Sequence, residues 1–404
     1  MVRAGYGITQ YMEGTGSNLR LPLNPPLFSE ADQSYDASTR AGTITTGFTD
    51  VVVRNVPSGL IRVWNPDLRP QFTQQWNVTL EYQLNNTTSI SAGYVGHNAT
   101  HLVAPTDWNQ PLPGVGPAFR TNADGSTTIL WPNFNTRRPL FGVLPLVTQI
   151  SGTDTWGRSN YNSLQVMGRQ RLTKGFEYLL SYTYSKTMTD NLGYYGSGGV
   201  TAQGAYSANH YDRRGYNYGP AFFDATHNIV WSGSYELPVG KGKSFGGDWH
   251  PVADKVLGGW QVTSILSAHT GFPITVNTGL NNTLQDPRGN RRPNLIGNPK
   301  PDTQTLDNWY NKAAFAAPAI GTFGSAGVGI IRAPGYANWD FGVGKKFHLS
   351  ESRYFDFRAE FFNFTNHPSF NPPASDFNAQ NTFGIITSTI SPPRNIEFAL
   401  KFHF

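Results

Sequence analysis

The chain has 404 residues, a formal net charge of +5, no cysteine, and equal shares of aromatic and charged residues at 14% each. The lack of cysteine excludes disulfides and thiolate metal sites. Lys and Arg form no long runs of the kind that predicts nucleic-acid binding, and no apolar run approaches the ~18 residues that predict a transmembrane helix. Low charge with many Tyr, Phe, Gly, Asn and Thr residues is typical of β-strands joined by long polar loops.

The N-terminal segment Val2–Tyr11 is predicted to be a strand, because its apolar residues recur at every second position. It does not have the composition of a signal peptide. An exported protein needs such a segment, so, if the strands that follow belong to an exported protein, we expect this chain to be a fragment of a longer protein or to have a misplaced start.

A long alternating strand is predicted at Phe72–Leu84, with one largely apolar and one polar face. The Asn85-Asn86 pair that follows favours a tight hairpin, because Asn tolerates positive φ. A return strand is therefore predicted from Ile90. The next segment, residues 98–159, is rich in Pro, Gly, Asn and Thr, and we expect it to be a loop.

Three more strand pairs are predicted downstream. They are Tyr161–Leu172 with Phe176–Met188, Asn228–Leu237 with Trp260–Ala268, and Trp339–Leu349 with Tyr354–Thr365. Short links join the first and third pairs, and a longer link, Pro238–Gly259, joins the second. Together with a strand at each terminus, this pattern predicts roughly ten strands of barrel length.

The chain ends in a strongly alternating strand, Asn395–Phe404. Its apolar side carries Ile396, Phe398, Leu400, Phe402 and Phe404. Such a strand fits a sheet with lipid on one face and a polar lumen on the other. An amphipathic strand that closes a soluble antiparallel sheet has the same alternation, and that alternative stays open for this segment taken alone.

The connections favour a membrane barrel, because short turns fall on one side of the predicted sheet and long loops on the other. Aromatic residues at the strand ends fit two girdles at the lipid headgroups, although aromatic residues are also good strand formers. They are Phe176, Tyr235, Trp260, Phe347, Phe355, Phe402 and Phe404 near the short turns, and Tyr94, Tyr184, Trp339 and Phe364 near the long loops. The predicted fold class is all-β, an antiparallel transmembrane β-barrel meander.

The alternation also assigns an outward set of side chains that we expect to contact lipid. This set consists of Trp76, Val78, Leu80, Tyr178, Leu180, Tyr182, Ile229, Trp231, Phe341, Val343, Phe357, Phe398 and Leu400.

The long loops carry the candidates for ligand binding. Aromatic rings are suited to stacking on sugars, peptides or siderophores, and arginines pair with anionic groups such as lipopolysaccharide phosphates. The candidates are Trp108, Trp131, Trp156, Tyr194, Tyr195, Arg288, Arg291 and Arg292. Packing of the aromatic residues between loops is an equal alternative, and a solvated turn is the favoured interpretation of the Arg-rich segment 286–293.

No catalytic residue, cofactor or metal site is predicted. His210, Asp212 and Arg213 lie close together in the sequence, but no Ser or Cys nucleophile in a recognisable turn accompanies them. Salt bridges and hydrogen bonds that order the loop are the favoured interpretation. His97 and His101 are separated by helical spacing but lie at a strand end, so zinc binding is not predicted.

Several short motifs occur in a characteristic order along the chain. They are Gln74–Asn77, Tyr94–Leu102, Tyr161–Gln165, Ser181–Lys186, Phe223–His227, Arg292–Gly297 and Pro334–Asp340. Together they resemble the barrel of TonB-dependent outer-membrane receptors, and most of all the Oar-like group, whose members carry an N-terminal carboxypeptidase-regulatory-like domain. The resemblance spans nearly the whole chain.

This resemblance implies a barrel of about 22 strands around an N-terminal plug, with residues 1–404 as a partial barrel domain that supplies its C-terminal half. It implies a bacterial outer-membrane protein in contact with lipid and lipopolysaccharide. Energised import of a large, scarce nutrient, such as a siderophore, oligosaccharide or peptide, would follow, with TonB acting through the plug. We expect the plug to be missing from this chain, and the chain alone to be inactive in uptake.

Two other functions stay open at this point. An Oar-like structural or adhesion protein of the cell surface would have the same barrel without transport. A soluble sugar-binding β-protein is a weaker third alternative. A plug and a TonB-binding segment upstream of Met1 would favour transport.

The C-terminal residues Leu400, Phe402 and Phe404 resemble the signal that the barrel-assembly machinery recognises in outer-membrane proteins. A terminal strand can add to a sheet edge through its backbone while alternate side chains provide recognition. The alternative is that Phe404 only anchors the girdle near the short turns.

Overall fold

The computed structural model describes residues 1–11, 21–22, 24, 59–114, 119–121, 127–129, 137–190, 208–279, 291–350 and 352–404. The strands are β1 (Val2–Tyr11), β2 (Gly59–Trp64), β3 (Gln71–Gln83), β4 (Thr88–Asp107), β5 (Phe119–Thr121), β6 (Thr127–Ile129), β7 (Val147–Thr173), β8 (Phe176–Thr189), β9 (Gly219–Pro220), β10 (His227–Glu236), β11 (Trp260–His269), β12 (Pro273–Ile274), β13 (Asn294–Leu295), β14 (Phe315–Ala316), β15 (Ile331–Arg332), β16 (Tyr336–His348), β17 (Tyr354–Phe362) and β18 (Asn395–His403). Two short α-helices also occur in this part of the chain, α1 (Arg213–Asn217) and α2 (Pro251–Leu257).

The long strands form one antiparallel meander. Among the described residues, the main sheet has the order β1-β3-β4-β7-β8-β10-β11-β16-β17-β18, with β2 and β9 attached to the side of this path. Each pairing along the path is antiparallel. The predicted fold class and the prediction of roughly ten strands paired in sequence order are confirmed.

The tight links at one edge have the expected turn chemistry. The side-chain oxygen of Asn85 accepts hydrogen bonds from the backbone N–H groups of Thr87 and Thr88, both at 2.9 Å, and this closes the β3–β4 turn. Between β7 and β8, Lys174 and Gly175 have φ values of 50° and 80°. Gly adopts this left-handed region without steric cost, so the short turn is built into the sequence.

The register separates the side chains into an apolar and a polar face. Directly opposed residues of antiparallel strands lie on the same face of the sheet. The face of one residue therefore determines the face of its partner on the next strand. Tyr182, for example, is opposite both Val166 and Ile229, and Phe357 is opposite Leu400. Followed from β1 to β18, this register places the whole predicted outward set on one face of the sheet.

Aromatic residues on that face cluster near the short turns. Phe176 is opposite Tyr235, with ring centroids 5.7 Å apart. Phe355 is opposite both Phe347 and Phe402, and the rings of Phe355 and Phe402 are 4.9 Å apart. The predicted concentration of aromatic residues at this edge is therefore a row that crosses several strands.

The predicted loop 98–159 is wrong at both ends, because β4 and β7 extend into it and stay paired. The pairing passes register shifts next to His101, whose φ is 58°. Alternation of apolar and polar residues is absent here because both faces of the extension are covered. The buried residues of the extension include Thr106, Asp107, Ser151, Thr153, Asp154 and Trp156.

Two further elements depart from the predicted meander. The unpredicted strand β2 pairs with the start of β7 in parallel, from Leu60 opposite Gln149 to Trp64 opposite Thr153. Helix α1 and strand β9 lie between the predicted strands Phe176–Met188 and Asn228–Leu237, where no regular element was predicted. Both departures add structure at the long-loop end of the sheet.

The long connections after β11 and β17 fold together into a hydrophobic core of their own. Backbone hydrogen bonds join the two connections, including Asn277 N–H to the carbonyl of Ser375 at 3.0 Å and Trp309 N–H to the carbonyl of Gly384 at 2.9 Å. The buried core residues are Ile274, Val276, Tyr310, Ala314, Phe315, Ala326, Ile331, Ala333 and Phe383. These loops are therefore a packed layer on the sheet edge.

Tyr310 tests the contribution of this loop core. Its side chain is fully buried, and its ring lies 5.1 Å from that of Phe383. We expect Tyr310→Ala to lower the local unfolding free energy of the loop layer by about 3–5 kcal/mol, because the loss of a large buried ring leaves a cavity. Native-state hydrogen exchange of the amides of Asn277 and Trp309 measures this change.

The control is Leu306→Ala in the same connection. The Leu306 side chain is 41% exposed, so its removal is expected to change the same exchange free energies by no more than about 0.5 kcal/mol. Equal effects of the two variants would mean that the loops are not held by this core.

Candidate functional site

The polar face of the sheet lines a cavity of about 830 Å³. Strands from β7 to β17 contribute to it, so the sheet curves with its polar face on the concave side. The polar side chains of the lining include Arg169, Glu177, Ser232, Ser234, Thr263, Asp340 and Glu360. Ser234 donates a hydrogen bond to Glu177 at 2.9 Å. Apolar side chains, among them Leu179, Ile265 and Phe362, lie between them, so the cavity offers charges and hydroxyl groups together with apolar surface.

Above the sheet edge, helix α1 joins the β4–β7 extension to the loops. Asp212 caps the helix by accepting a hydrogen bond from the N–H of Gly215 at 3.1 Å. Arg213 pairs with Asp154 at 3.1 Å and lies 6.0 Å from the ring centre of Trp156. These contacts fix α1 on strand β7.

A second ion pair, in which only the carboxylate is buried, lies next to α1. Arg158 Nε is 3.2 Å from a carboxylate oxygen of Asp190, whose side chain is fully buried. The guanidinium of Arg158 also lies 4.6 Å above the ring of Tyr218, and the Arg158 N–H donates to Asp190 at 2.7 Å. Burial is the main cause that raises the pKa of Asp190 to about 6, against the opposing hydrogen bond and charge of Arg158.

Arg292 connects the loop after β11 to the same helix. Its guanidinium lies 3.6 Å from the ring centre of Tyr216 and donates a hydrogen bond to the carbonyl of that residue at 2.5 Å. Desolvation lowers the pKa of Arg292 and raises the pKa of Tyr216. The interpretation of the Arg-rich segment as a solvated turn is therefore wrong at Arg292, which is 1% exposed, because ring and carbonyl contacts replace water.

The structure places some of the predicted ligand residues near one another and leaves others outside its description. Trp156 is 3% exposed and, with Arg292, belongs to the cluster around α1. Trp108 and Arg291 are half-buried. The predicted residues Trp131, Tyr194, Tyr195 and Arg288 lie outside the described residues.

The three residues of the predicted assembly signal are on one face of the C-terminal strand. Phe402 lies opposite Phe355 and Leu400 opposite Phe357. The exposed fractions of Leu400, Phe402 and Phe404 are 65%, 46% and 93%. Their apolar surface is therefore accessible at the short-turn end of the sheet.

Sequence reasoning missed the partners of the buried carboxylates. Besides Asp154 and Asp190, Asp224 is buried and pairs with Arg332 at 2.6 Å, while accepting a hydrogen bond from the N–H of Thr187 at 2.6 Å. The only available signal was the presence of isolated Asp and Arg residues in loops of low charge. Their pairing depends on long-range folding, which no local pattern reports.

Two histidines on the sheet, one of which was considered above as a possible zinc ligand, have structural contacts. The ring of His97 stacks on Tyr161 with centroids 5.8 Å apart, and His227 is 2.8 Å from the hydroxyl of Tyr182. Within the described part of the chain, no group of His, Asp and Glu side chains is arranged to hold a metal ion. Neither helix in that part is long and apolar enough to span a bilayer.

Asp190 predicts that the stability of the rim, which consists of α1 and the loops and strand ends around it, depends on pH. Its pKa rises from 3.8 to about 6 on folding, so between these values the folded rim holds a proton that an open rim releases. The stabilisation from this proton is present below the lower value and lost as pH rises through the upper one. We expect the free energy of local opening at the Arg158 amide to fall by on the order of 1–2 kcal/mol across this window.

Asp190→Asn should remove most of this pH dependence, because the amide does not titrate. Hydrogen exchange at the Arg158 amide, measured from pH 4 to 6, follows the opening. Asp248→Asn, in an exposed part of the chain, is the matched control and should retain the normal profile. An unchanged pH slope in the Asp190→Asn variant would contradict the assignment.

Comparison with known proteins agrees with this architecture. The family described as "Outer membrane beta barrel domain" matches residues 1–397. No curated protein sequence matches the chain.

Solved structures with a similar arrangement include two receptors and one transporter. The ferric-catecholate import receptor Fiu from E. coli K12 is 11% identical, with a TM-score of 0.39, and the match covers 100% of this chain and 33% of that one. The outer membrane transporter YddB from Escherichia coli is 11% identical, with a TM-score of 0.41, and the match covers 88% of this chain and 35% of that one. The siderophore receptor PirA from Acinetobacter baumannii is 12% identical, with a TM-score of 0.37, and the match covers 84% of this chain and 33% of that one.

The chain spans about a third of the length of each of these structures. The family match covers nearly all of the chain, and the meander has one apolar and one polar face, as a sheet between lipid and a lumen requires. The chain belongs to the outer membrane beta barrel domain family and is a protein of the bacterial outer membrane.

Proposed function

We propose that this chain is the C-terminal barrel portion of a TonB-dependent outer-membrane transporter that imports a large, scarce nutrient. The observation that carries the proposal is the cavity of about 830 Å³ on the concave side of the sheet, which charged, hydroxyl-bearing and apolar side chains line together. A protein that served only as a membrane anchor would need the apolar face but no such surface. The substrate class is a siderophore, an oligosaccharide or a peptide.

The rim supports a role in binding. Buried ion pairs and the loop core hold the long connections in fixed positions, and binding residues are effective when rigid elements position them. We propose the loop residues predicted above as ligand contacts. Trp156 and Arg292 are enclosed by their neighbours, so a ligand reaches them only when α1 and the loop after β11 separate.

The proposed partners follow from the same function. TonB would act through an N-terminal plug, the barrel-assembly machinery would insert the protein, and lipopolysaccharide would surround the long-loop end. The resemblance to Oar-like receptors enters here as a proposal about the subgroup. An enzymatic activity is not proposed, because the carboxylates of the rim are engaged in structural ion pairs and caps.

Uptake measurements test the proposal. Cells that lack this protein, cells that lack TonB, and cells that lack both are supplied with a labelled ferric siderophore, a maltodextrin or a peptide. We expect the uptake of one of these substrates to fall, relative to the parent strain, by the same amount in all three strains. Normal uptake of all three substrates together with a loss of cell-surface cohesion would favour the structural or adhesion function instead.

The apolar face predicts a strong position dependence of charged substitutions. Leu180 lies in the middle of β8, opposite Gly168 and Trp231. Leu180→Arg should lower the free energy of unfolding in lipid by about 2–4 kcal/mol if the residue lies near the bilayer midplane. Ser181→Arg, on the polar face of the same strand, should cost much less. Folding titrations in lipid vesicles compare them, and equal losses would refute the face assignment.

The C-terminal residue predicts a defect in assembly. In the full-length receptor, Phe404→Ser should lower the amount of protein assembled in the outer membrane and increase periplasmic or degraded protein, because the terminal ring is a recognition element. Phe355→Ser, in the same aromatic row, should lower stability but spare assembly. Quantitative analysis of membrane fractions distinguishes them, and equal assembly defects would leave Phe404 with an anchoring role only.

A further inference from the structure

The link between β10 and β11 is unlike the other short-turn links of the described chain, because it contains helix α2. The first half of the link folds back on itself: Phe245 N–H donates to the carbonyl of Pro238 at 2.9 Å, and Gly240 N–H donates to that of Phe245 at 2.8 Å. The N–H of Lys241 then donates to the carboxylate of Asp254 in α2 at 2.6 Å. The link is therefore one compact unit.

The unit is attached to the apolar face of the sheet. Lys345 of β16 is opposite Trp260 and Phe357, so its side chain starts on the same face as the outward set. Its ammonium group donates hydrogen bonds to the carbonyls of Val256, at 3.1 Å, and Gly258. The indole N–H of Trp260 donates to the carbonyl of Val256 at 3.0 Å. The C-terminal end of α2 thus lies against the outward face, beside the aromatic row.

These contacts compensate for a cation on an apolar face. The last carbonyls of a helix carry partial negative charge and favour a nearby lysine. The rings of Trp260 and Phe347 lie 5.4 Å and 5.0 Å from the Lys345 ammonium, within range of cation–π attraction. The side chain of Lys345 is therefore engaged by the helix and the rings, and it fixes the helix in place.

Several apolar side chains of the unit are uncovered. No residue of α2 is buried, and the exposed fractions are 64% for Val252, 57% for Val256 and 54% for Leu257. Phe245 and Trp249, earlier in the link, are 65% and 36% exposed. Asp254 of α2 bonds to the first half of the link instead, so the helix presents its apolar side outward.

We propose that residues 238–259 form an interfacial anchor whose apolar side chains insert into the periplasmic leaflet of the outer membrane. The occupant of this surface is phospholipid, because the surface continues the lipid-contacting face of the sheet at the level of its aromatic row. Amphipathic helices of this kind lie in the plane of the interface with their apolar side in the acyl boundary. Lys241 and Lys255 are exposed and add positive charge that suits phosphate groups of the lipid.

The anchor goes beyond transport, since it would operate in any barrel of this kind. It positions the short-turn edge at a defined depth and covers a charge that would otherwise face hydrocarbon. The cost of an unpaired lysine on a lipid-contacting face is largest near the midplane and small at the interface. Lys345 lies near the short-turn end of β16, beside the aromatic contact of Trp260 with Phe347, and this position agrees with an interfacial depth.

Fluorescence quenching by lipid tests the anchor. The chain has no cysteine, so a cysteine can be introduced at Val256 and labelled with an environment-sensitive dye. The whole protein that contains this chain is then reconstituted in phosphatidylethanolamine–phosphatidylglycerol vesicles with brominated acyl chains. The matched control is Lys243→Cys in the same link, and Leu257→Cys provides a second apolar position.

We expect the dye at positions 256 and 257 to be quenched at least about twofold more than the dye at 243, with a blue-shifted emission, as burial at the acyl boundary requires. Heat-modified mobility in gels confirms that each variant is folded. Equal, weak quenching at all three positions would overturn the proposal. Weak quenching combined with protection of position 256 from labelling in whole cells would also overturn it, and would indicate a periplasmic protein as the occupant.

Discussion

Backbone pairing in a fixed register is the constraint on which the rest of this structure depends. In hydrocarbon each backbone N–H and C=O must be paired within the protein, and side chains alternate between faces at every residue. A slip by one residue would exchange the lipid-contacting and polar faces of a strand. At Tyr182, for example, a slip would put Ser181 or Thr183 beside Val166 and Ile229. The free energy of membrane insertion therefore selects one register for each strand.

The long-loop end is held by different forces. Its loops have to be ordered without a lipid phase to sort them, and the structure uses a small apolar core and a few buried ion pairs. The Asp224–Arg332 pair joins the connection before β16 to the end of β8 through the N–H of Thr187. Desolvation makes such pairs poor sources of stability, but breaking one leaves a buried charge. They act mainly by excluding other loop arrangements, which agrees with the binding role proposed for these loops.

The difference between these two ends explains what the sequence could predict. The long strands of the meander were found, since period-two alternation reports directly on a face that contacts lipid. The extension of β4 and β7 was missed because both of its faces are covered, so Asp107 and Ser151 interrupt the alternation while still paired. The loop core was missed because Tyr310 and Phe383 come from different connections. Arg292 was identified only as a ligand-binding candidate in a solvated turn, because its buried contacts depend on the folded loops.

Residues that break the alternation of apolar and polar side chains therefore indicate contacts that the alternation itself does not predict. Lys345 is a cation on the apolar face, and it occurs where a helix supplies carbonyl groups to it. Gly96 is a similar case on β4, because a side chain there would collide with the indole of Trp76, whose atoms lie 2.6–2.8 Å from the position of a Cβ. Both residues are unfavourable for an isolated strand: Lys345 is accommodated by the end of a helix, and Gly96 is required by its neighbour across the sheet. Alternation assigns the faces, and the residues that break it locate the contacts that are specific to this barrel.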